Sequence, residues 1–336
     1  MRVDTTGGFD AGPLETETAA IAAESDGYDT LSAPETAHDV FVALALAARA
    51  TGRLRLQSAI AVAFARNPMT LAYQANDIAL LSGGRFELGL GSQVKAHVER
   101  RFGMPWSRPA ARMEDFVLAL RAIWNAWATG DRLRHQGEFY THTLMTDFFS
   151  PGPNPHGPPP VMLAAVGERM TEVAGRVTDG LLAHSLTTPS YLDGVTLPAL
   201  RRGRGRADLD GFDVCLPVFA VLGADAVARA GAEAGVRRQI AFYASTPPYR
   251  PVLEHHGRGD LADRLNRLSR QQAWDEMAGL VDDDVLDLFA VSGTPDEVAD
   301  GIVSRYGGLV GRVSLNTPYD ADPTLVLRTA EILRAA

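Results

Sequence analysis

The chain has 336 residues, of which 46% are hydrophobic, and its 41 acidic side chains outnumber 32 basic ones, which gives a net charge of −9 at pH 7. This length suits one large α/β barrel or two average domains, and the composition excludes a disordered or fibrous protein. The acidic balance argues against a nucleic-acid partner, because phosphate binding requires clustered Lys and Arg. The single cysteine excludes an internal disulfide and a cysteine-based zinc site, so we expect a reducing, cytoplasmic location.

The sequence lacks the motifs of several other functional classes. The most apolar run, Val40–Ala50, is too short to cross a bilayer, and the N-terminus has no apolar signal core, so we expect no membrane partner. Lys95 is the only lysine and lies outside a phosphate-loop motif. The sequence contains neither the GxSxG motif of serine hydrolases nor an HExxH-type spacing, and we predict no metal site.

Short apolar runs alternate with stretches of helical period along the chain, a pattern typical of βα units around a parallel sheet. The predicted strands are Arg2–Thr5, Tyr28–Leu31, Leu54–Ala59, Phe86–Leu90, Val161–Ala164, Gly180–Ala183, Phe212–Leu222 and Arg312–Asn316. The predicted helices are Leu14–Glu24, His38–Ala50, Met69–Leu81, Pro109–Ala128, Glu168–Thr178, Ser190–Arg201, Ala224–Phe242 and Pro295–Arg305. Eight such pairs predict a closed (β/α)8 TIM barrel, with residues 1–336 forming a single domain.

Two stretches exceed the minimal repeat and are predicted as insertions. Gly130–Pro160 is rich in Pro and Gly, and we interpret it as a long excursion over the top of the barrel after strand four. Ala244–Ala290 follows strand seven and predicts an extra helical pair. Their aromatic and apolar side chains indicate a hydrophobic ligand, or pack the loops down, or form a homodimer contact; they include Phe139, Tyr140, Met145, Phe148, Phe149, Phe242 and Tyr243.

The active site of a barrel lies at the carboxyl ends of its strands, where the βα loops converge. Thr5–Gly8 follows strand one, and the turn Ala164–Met170 follows strand five and opens a helix. Backbone amides at such a turn form a seat for phosphate, with Gly167 permitting close approach and Arg169 adding a charge. An ordinary turn capped by its own side chains is the alternative.

The glycine-rich segment Gly83–Gln93 differs from a dinucleotide-binding fingerprint, because its glycines surround a strand and do not open a helix after one. Gly89 and Gly91 remove side chains from the end of strand four. This composition lets a flat ligand lie across the barrel mouth, or it allows close packing inside the barrel, and the two interpretations are compatible.

Three titratable side chains are candidates for acid/base work: Glu35, after strand two; His38, farther along the same loop; and His184, directly after strand six. Each has a structural alternative, because Glu35 can lie in solvent beside a capping Thr36 and a strand-end histidine is often structural. The sequence leaves these alternatives open.

Three segments carry a resemblance to a known family: Arg66–Trp106, VMLAAVGERM and VSGTPDEVADGI. Together with the order of elements, they resemble the luciferase-like monooxygenase superfamily, in particular its coenzyme F420-dependent oxidoreductase branch. The similarity covers nearly the whole chain. One departure is Gln93, which stands where many relatives have Gly.

The resemblance implies that the ring of coenzyme F420, or of FMN as the alternative, lies in the barrel mouth against a cis-peptide bulge of strand three. The implied contacts are Ser58, Ala59 and Ile60 at the bulge, Gly89, Gly91 and Ser92 beside the ring, and Val166, Gly167, Glu168 and Arg169 at the phosphate. In several relatives, strand two ends in an acidic residue followed by a proton-transferring histidine. Here Glu35-Thr36 occupies that place and the histidine is missing, so Glu35, His38 and His184 remain candidates.

The expected activity is hydride transfer between reduced deazaflavin and a small organic substrate such as an enone, imine or alcohol. An FMN-dependent monooxygenase and a cofactor-binding barrel without turnover are the alternatives. Soluble homo-oligomers are most often dimers, so a homodimer is the default expectation.

Overall fold

A computed structural model of the chain describes residues 1–6 and 12–336, so Gly7 and Gly8 of the first mouth loop lie outside the described residues. Eight parallel strands form a ring that closes by pairing the last strand with the first. They are β1 (Arg2–Thr5), β2 (Thr30–Ala33), β3 (Arg55–Ser58), β4 (Phe86–Gly91), β5 (Val161–Ala164), β6 (Gly180–Leu182), β7 (Asp213–Leu222) and β8 (Arg312–Asn316). The predicted (β/α)8 TIM barrel is confirmed.

The helices that surround the barrel agree with the predicted ones except in three places, one of which is the unpredicted helix Lys95–Arg100. They are Thr16–Ser25, Val40–Ala50, Pro68–Leu81, Lys95–Arg100, Pro109–Thr129, Glu168–Val177, Leu197–Arg204, Ala226–Ala244, Pro295–Tyr306 and Pro323–Ala335. The predicted helix Ser190–Arg201 is interrupted by a π-helical segment, Leu192–Thr196. Pro198 has no amide hydrogen for a bond to residue 194, which disturbs the regular ladder there. The last helix, Pro323–Ala335, escaped the sequence analysis.

Side-chain caps fix several helix starts where the sequence predicts them. The Thr294 hydroxyl accepts a hydrogen bond from the Glu297 amide, and the Glu297 carboxylate accepts one from the Thr294 amide at 2.8 Å. The Asn67 side chain accepts from the Thr70 amide at 2.9 Å, with Pro68 at the first helical position. The predicted helix start at Ser190 is one residue late, because Thr188 is the cap and the helix begins at Pro189.

The lower half of the barrel interior is filled by charged side chains. Arg312 on β8 is fully buried, and its guanidinium donates to Glu87 on β4 at 2.7 Å. The same group lies 3.1 Å from an Asp213 oxygen on β7 and 3.6 Å from an Asp4 oxygen on β1. We call these four residues the floor cluster. One cation therefore ties together carboxylates from three other strands of the ring.

Asp4 gives the floor cluster a pH dependence. Burial raises its pKa to about 7, against 3.8 for an exposed aspartate, although Arg312 acts in the opposite direction. Its Oδ1 atom is buried without a hydrogen-bond partner. A raised folded-state pKa means that the stabilisation is complete below about pH 4 and is lost as the pH rises through about 7.

We therefore expect wild-type protein to lose more unfolding free energy between about pH 5 and about pH 8 than Asp4→Asn, whose amide stays neutral throughout. Urea denaturation of both proteins at the two pH values measures the difference. The remaining titratable groups are common to both proteins and cancel in the comparison. An equal change in the two proteins would contradict a raised Asp4 pKa.

The first insertion follows the outside of the barrel and does not cross its top. Its hairpin, His135–Gln136 paired with Thr141–His142, lies against the helix Pro109–Thr129. The buried Asp115 carboxylate of that helix accepts from the amides of Phe139 at 2.6 Å and Tyr140 at 3.0 Å, and it also contacts His135. The predicted position after strand four is correct, but its course over the mouth is wrong, because a buried carboxylate on the flank binds the hairpin.

The second insertion contains more elements than the predicted helical pair. It comprises the helices Arg250–His255, Gly259–Arg270, Trp274–Ala278 and Asp283–Phe289, and a strand, Ala290–Gly293, that extends the sheet beside β7. Elements of four to seven residues are too short for a helical period to identify. Within residues 1–6 and 12–336, no helix combines the length and apolarity needed to span a bilayer.

Candidate active site

Strand three ends in a bulge that faces strand four at the barrel mouth. The peptide bond between Ala59 and Ile60 is cis, at the place that the family resemblance implies. The Ser58 hydroxyl donates to the Gly89 carbonyl at 2.8 Å and accepts from the Gly89 amide at 2.9 Å. This pair of hydrogen bonds fixes the bulge to β4. The Ser58 hydroxyl is therefore engaged by the Gly89 backbone and is not free for a ligand.

The two glycines of β4 allow the bulge to approach closely. A Cβ atom on Gly89 would lie 1.8 Å from the Ser58 carbonyl oxygen, and one on Gly91 would lie 2.8 Å from the Ile60 side chain. Ala59, Ile60 and Ala164 are partly buried and pack against Leu182 and Met162. We call Ala59, Ile60 and Ala164 the apolar cradle. Close packing therefore explains the glycines, and the three side chains of the apolar cradle keep part of their surface exposed.

The turn after β5 presents unobstructed backbone amides. Gly167 precedes the helix Glu168–Val177 in extended conformation, and no side chain caps the helix. A Cβ atom at Gly167 would meet no atom within 4 Å. The Glu168 carboxylate pairs with Arg202 at 2.8 Å. The negative charge of Glu168 is therefore engaged by Arg202, while its backbone amide remains part of the turn. Arg169 is exposed, and Val166 is partly buried against a second hydrophobic cluster, which includes Leu186 and Phe219.

The segment after β4 differs from the predicted ring contact at Ser92. The Ser92 hydroxyl donates to the Gln93 carbonyl at 3.1 Å and is engaged locally. Gln93 adopts φ 59°, a left-handed conformation that glycine adopts at least cost. This conformation gives a physical reason for the glycine that many relatives have at this position.

Glu35 is held in a clamp and is not free for acid/base work. Its two oxygens accept from the Arg66 guanidinium at 2.6 and 2.7 Å, and one of them also accepts from the Val62 amide at 2.7 Å. Both side chains are about nine-tenths buried. The predicted acid/base role is contrary to this geometry, because both oxygens are occupied by a permanent cation. Glu35 instead fixes the chain that follows the bulge.

His38 lies on the solvent-exposed rim of the mouth. The ring approaches Gly12, with Nε2 lying 3.4 Å from where a Cβ atom would stand. The Glu15 carboxylate comes close to the same point, with its Oε2 atom at 3.1 Å from it. Its predicted role stays a prediction.

His184 follows β6 and is enclosed by two tyrosines. Its ring centroid lies 4.4 Å from that of Tyr243 and 4.4 Å from that of Tyr249. The Leu186 amide donates to its Nδ1 at 3.0 Å, which leaves the proton of the neutral ring on Nε2. Burial lowers the pKa of His184 to about 4, so the ring is neutral near pH 7 and can donate one hydrogen bond.

The structure brings the implied cofactor contacts onto adjacent strands, since β3, β4, β5 and β6 are neighbours in the ring. Sequence analysis missed three groups at this end. Asn316 on β8 donates to Ser185 after β6 at 2.7 Å, across the end of β7. The Thr187 hydroxyl is buried without a hydrogen-bond partner. Tyr249 comes from the second insertion, whose sequence has no motif that points to the mouth.

The residues at the barrel mouth match the parts of a tricyclic redox cofactor with an anionic tail. The apolar cradle offers a surface for a flat ring, and the uncapped turn at Gly167 offers amides to an anion. The unpaired Thr187 hydroxyl supplies a further polar contact at the same end of the barrel. The residues present therefore fit such a group. Among residues 1–6 and 12–336, no cluster of three or more His, Cys, Asp or Glu is arranged to bind a metal ion.

Comparison with known proteins identifies the family. The luciferase-like monooxygenase family profile matches residues 3–312. The chain is 50% identical over 297 residues to the uncharacterized protein Rv1360 of Mycobacterium tuberculosis, covering 88% of this chain and 87% of the relative. It is 27% identical over 311 residues to the 5,10-methylenetetrahydromethanopterin reductase of Archaeoglobus fulgidus, covering 89% and 88% of the two chains.

A solved structure has the same fold. The coenzyme F420-dependent tetrahydromethanopterin reductase of Methanopyrus kandleri superposes with a TM-score of 0.80 at 19% sequence identity, covering 100% of this chain and 98% of that one. The architecture is therefore shared over the full length. The chain belongs to the luciferase-like monooxygenase family.

Proposed function

We propose that this protein is an oxidoreductase that binds coenzyme F420 in the barrel mouth and exchanges a hydride with a small organic substrate. The observation that carries the proposal is the pairing of a partly exposed apolar cradle with an uncapped helix start on neighbouring strands. A ring with an anionic tail needs both features. The reductases named among the relatives and similar structures support the deazaflavin as the ring.

The protein's part in the reaction follows from its own residues. When bound, the deazaflavin supplies the hydride chemistry, and the chain supplies position. Ala59, Ile60 and Ala164 support one face of the ring, while Ser58 and the Glu35–Arg66 clamp keep the bulge in place. The amides of Gly167, Glu168 and Arg169 bind the tail. One face of the ring is then left for the substrate, beside His184.

An FMN-dependent monooxygenase is the second candidate, because the family itself is described by monooxygenase activity. The same cradle accepts either tricyclic ring. Titration of the purified protein with F420 and with FMN separates the two, followed by anaerobic stopped-flow measurement of hydride exchange. Tight F420 binding with substrate-dependent oxidation supports the proposal. Preference for FMN with oxygen consumption supports the alternative, and binding without turnover on any tested substrate supports a non-catalytic barrel.

Gly167→Asp should weaken the affinity for F420 at least roughly tenfold, because it places a negative charge on the amides that bind the phosphate. The same change should preserve or raise stability, since Asp is a favourable N-cap. Isothermal titration calorimetry measures the affinity, and thermal denaturation checks folding. Gly167→Asn is the matched neutral control and should bind F420 more tightly than Gly167→Asp, because it adds similar bulk and also caps helices but carries no negative charge. Normal F420 affinity in Gly167→Asp would refute the phosphate assignment.

A further inference from the structure

Aromatic rings from several neighbouring elements, including the second insertion, form a wall beside the mouth. Five side chains from four segments contact one another with centroid separations of 4.4 to 6.3 Å: His184, Phe219, Phe242, Tyr243 and Tyr249. We call them the aromatic wall. Its members come from the loop after β6, from β7, from the end of the helix Ala226–Ala244 and from the turn Pro247–Tyr249. Cofactor contacts on β3 to β5 do not use any of them.

The wall is fixed in place by hydrogen bonds between the insertion and the β6 loop. The Thr188 hydroxyl lies 2.8 Å from Nε2 of His256, and the Ser190 hydroxyl lies 2.6 Å from Nε2 of His255. Tyr191 also packs edge-on against His255 at 5.5 Å. The insertion is therefore anchored to the loop that carries His184, and the rings that face one another are held by both segments.

Two polar groups within the wall have no partner. Nδ1 of His184 is occupied by the Leu186 amide, so Nε2 carries the proton, and no described residue accepts from it. The Tyr249 hydroxyl likewise has no hydrogen-bond partner among the described residues, and burial raises its pKa to about 12. Neutral imidazole and phenol are both donors at pH 7. The wall thus offers hydrogen-bond donors inside an uncharged aromatic surface.

We propose that the aromatic wall binds a planar, uncharged, conjugated carbonyl compound, whose oxygen accepts a hydrogen bond from His184 Nε2. This proposal rests on the proposed function and names its substrate class. Flat conjugated molecules stack favourably on aromatic rings. The N–H of a neutral imidazole can donate a hydrogen bond that stabilises the negative charge developing on the substrate's oxygen. Since the wall has no cationic side chain, phosphorylated and carboxylated substrates lack a partner there.

The reaction balances for an enone. The hydride from the reduced deazaflavin forms a C–H bond at the β-carbon, and the C=C π bond breaks. The C=C electron pair forms a new double bond between the α-carbon and the carbonyl carbon, and the C=O π pair moves to the oxygen, where the His184 Nε2–H and the Tyr249 hydroxyl would stabilise the enolate. The deazaflavin would thereby be oxidised by two electrons. Water then protonates the α-carbon, which gives the saturated ketone. The deazaflavin is the only reductant required.

Binding of the ketone can be tested without turnover. In protein labelled with 15N-histidine, the His184 Nε2 resonance is identified by its absence in His184→Gln. We expect 2-cyclohexen-1-one to shift that resonance, while cyclohexyl phosphate leaves it unchanged. The cofactor-free protein and the F420 complex are both measured, so this result is independent of the F420 titration. A resonance that is insensitive to the enone in both forms would overturn the proposal even where F420 binds tightly.

Turnover gives the second readout. With F420 bound, His184→Phe keeps a ring but loses the donor, and kcat/KM for cyclohexenone should fall by roughly 10²-fold to 10³-fold while F420 affinity is unchanged. His184→Gln, which retains an N–H donor, should recover part of the loss. The wild-type rate should stay level from about pH 5 to about pH 8, because the ring is already neutral. Full activity in His184→Phe, or a rate that falls as a histidine of normal pKa loses its proton, would overturn the assignment.

Discussion

Replacing Arg312 with methionine should lower the unfolding free energy by roughly 3–5 kcal/mol, because it removes the fully buried cation that contacts all three carboxylates of the floor cluster. Arg312 is fully buried and contacts Asp4, Glu87 and Asp213, whereas methionine fills similar volume without charge. The loss should be larger at pH 8 than at pH 5, since protonation relieves the unpaired carboxylates at lower pH. Urea denaturation followed by far-UV circular dichroism measures it.

Arg2→Met provides the matched control for the Arg312 experiment. Arg2 binds Asp213, the same carboxylate, at 2.7 Å, but its side chain is 46% exposed. Exposed ion pairs contribute little, so this change should cost less than about 1 kcal/mol. Similar losses in the two variants would mean that burial does not govern the energetics of the floor cluster.

Gly89→Ala should lower the unfolding free energy by about 1–3 kcal/mol and weaken F420 binding, because the new methyl group collides with the bulge. Its Cβ would lie 1.8 Å from the Ser58 carbonyl oxygen, a backbone atom that no side-chain rotation can move away. β3 and β4 must separate, and the two Ser58–Gly89 hydrogen bonds lengthen with them. Thermal denaturation measures the first effect, and fluorescence titration with F420 measures the second.

Gly91→Ala is the control for Gly89→Ala, because it adds the same methyl group to β4 without a collision with backbone. Its Cβ would meet the Ile60 side chain at 2.8 Å, and a flexible side chain can move where backbone cannot. We expect a smaller loss of stability than in Gly89→Ala, with some loss of F420 affinity from the changed cradle. A stability loss in Gly91→Ala equal to that in Gly89→Ala would show that the backbone contact at Ser58 is not decisive.

The fold could be predicted from the sequence because each βα unit carries its own local pattern. Strand β5 is a short apolar run, and the helix at Pro295 opens with a proline and a capping box. The helix Pro323–Ala335 has an equivalent start at Asp322-Pro323, so its omission was avoidable. The short helices of the second insertion could not be predicted, because a helix of one or two turns is too short to show a hydrophobic period.

The site could be predicted only in part. Glycines beside a strand end and a glycine opening a helix predict sites for a flat ring and an anion, and the structure places these segments on neighbouring strands. The same reasoning gave Glu35 an acid/base role, and nothing in the sequence pairs it with Arg66, 31 residues away. Its neutralisation depends on β2 and β3 lying side by side, which is a property of the closed ring.

The sequence by itself determined the barrel, the acidic character and the family resemblance, because hydrophobic period, composition and local motifs are written in neighbouring residues. Only the tertiary structure decided which polar groups are in contact: Glu35 with Arg66, the floor carboxylates with Arg312, and His184 with Tyr243 and Tyr249, two tyrosines far along the chain. These contacts, together with burial, determine the charge and protonation of the side chains involved, and they connect residues from different elements of the barrel. A linear sequence does not specify such contacts until the chain has closed on itself.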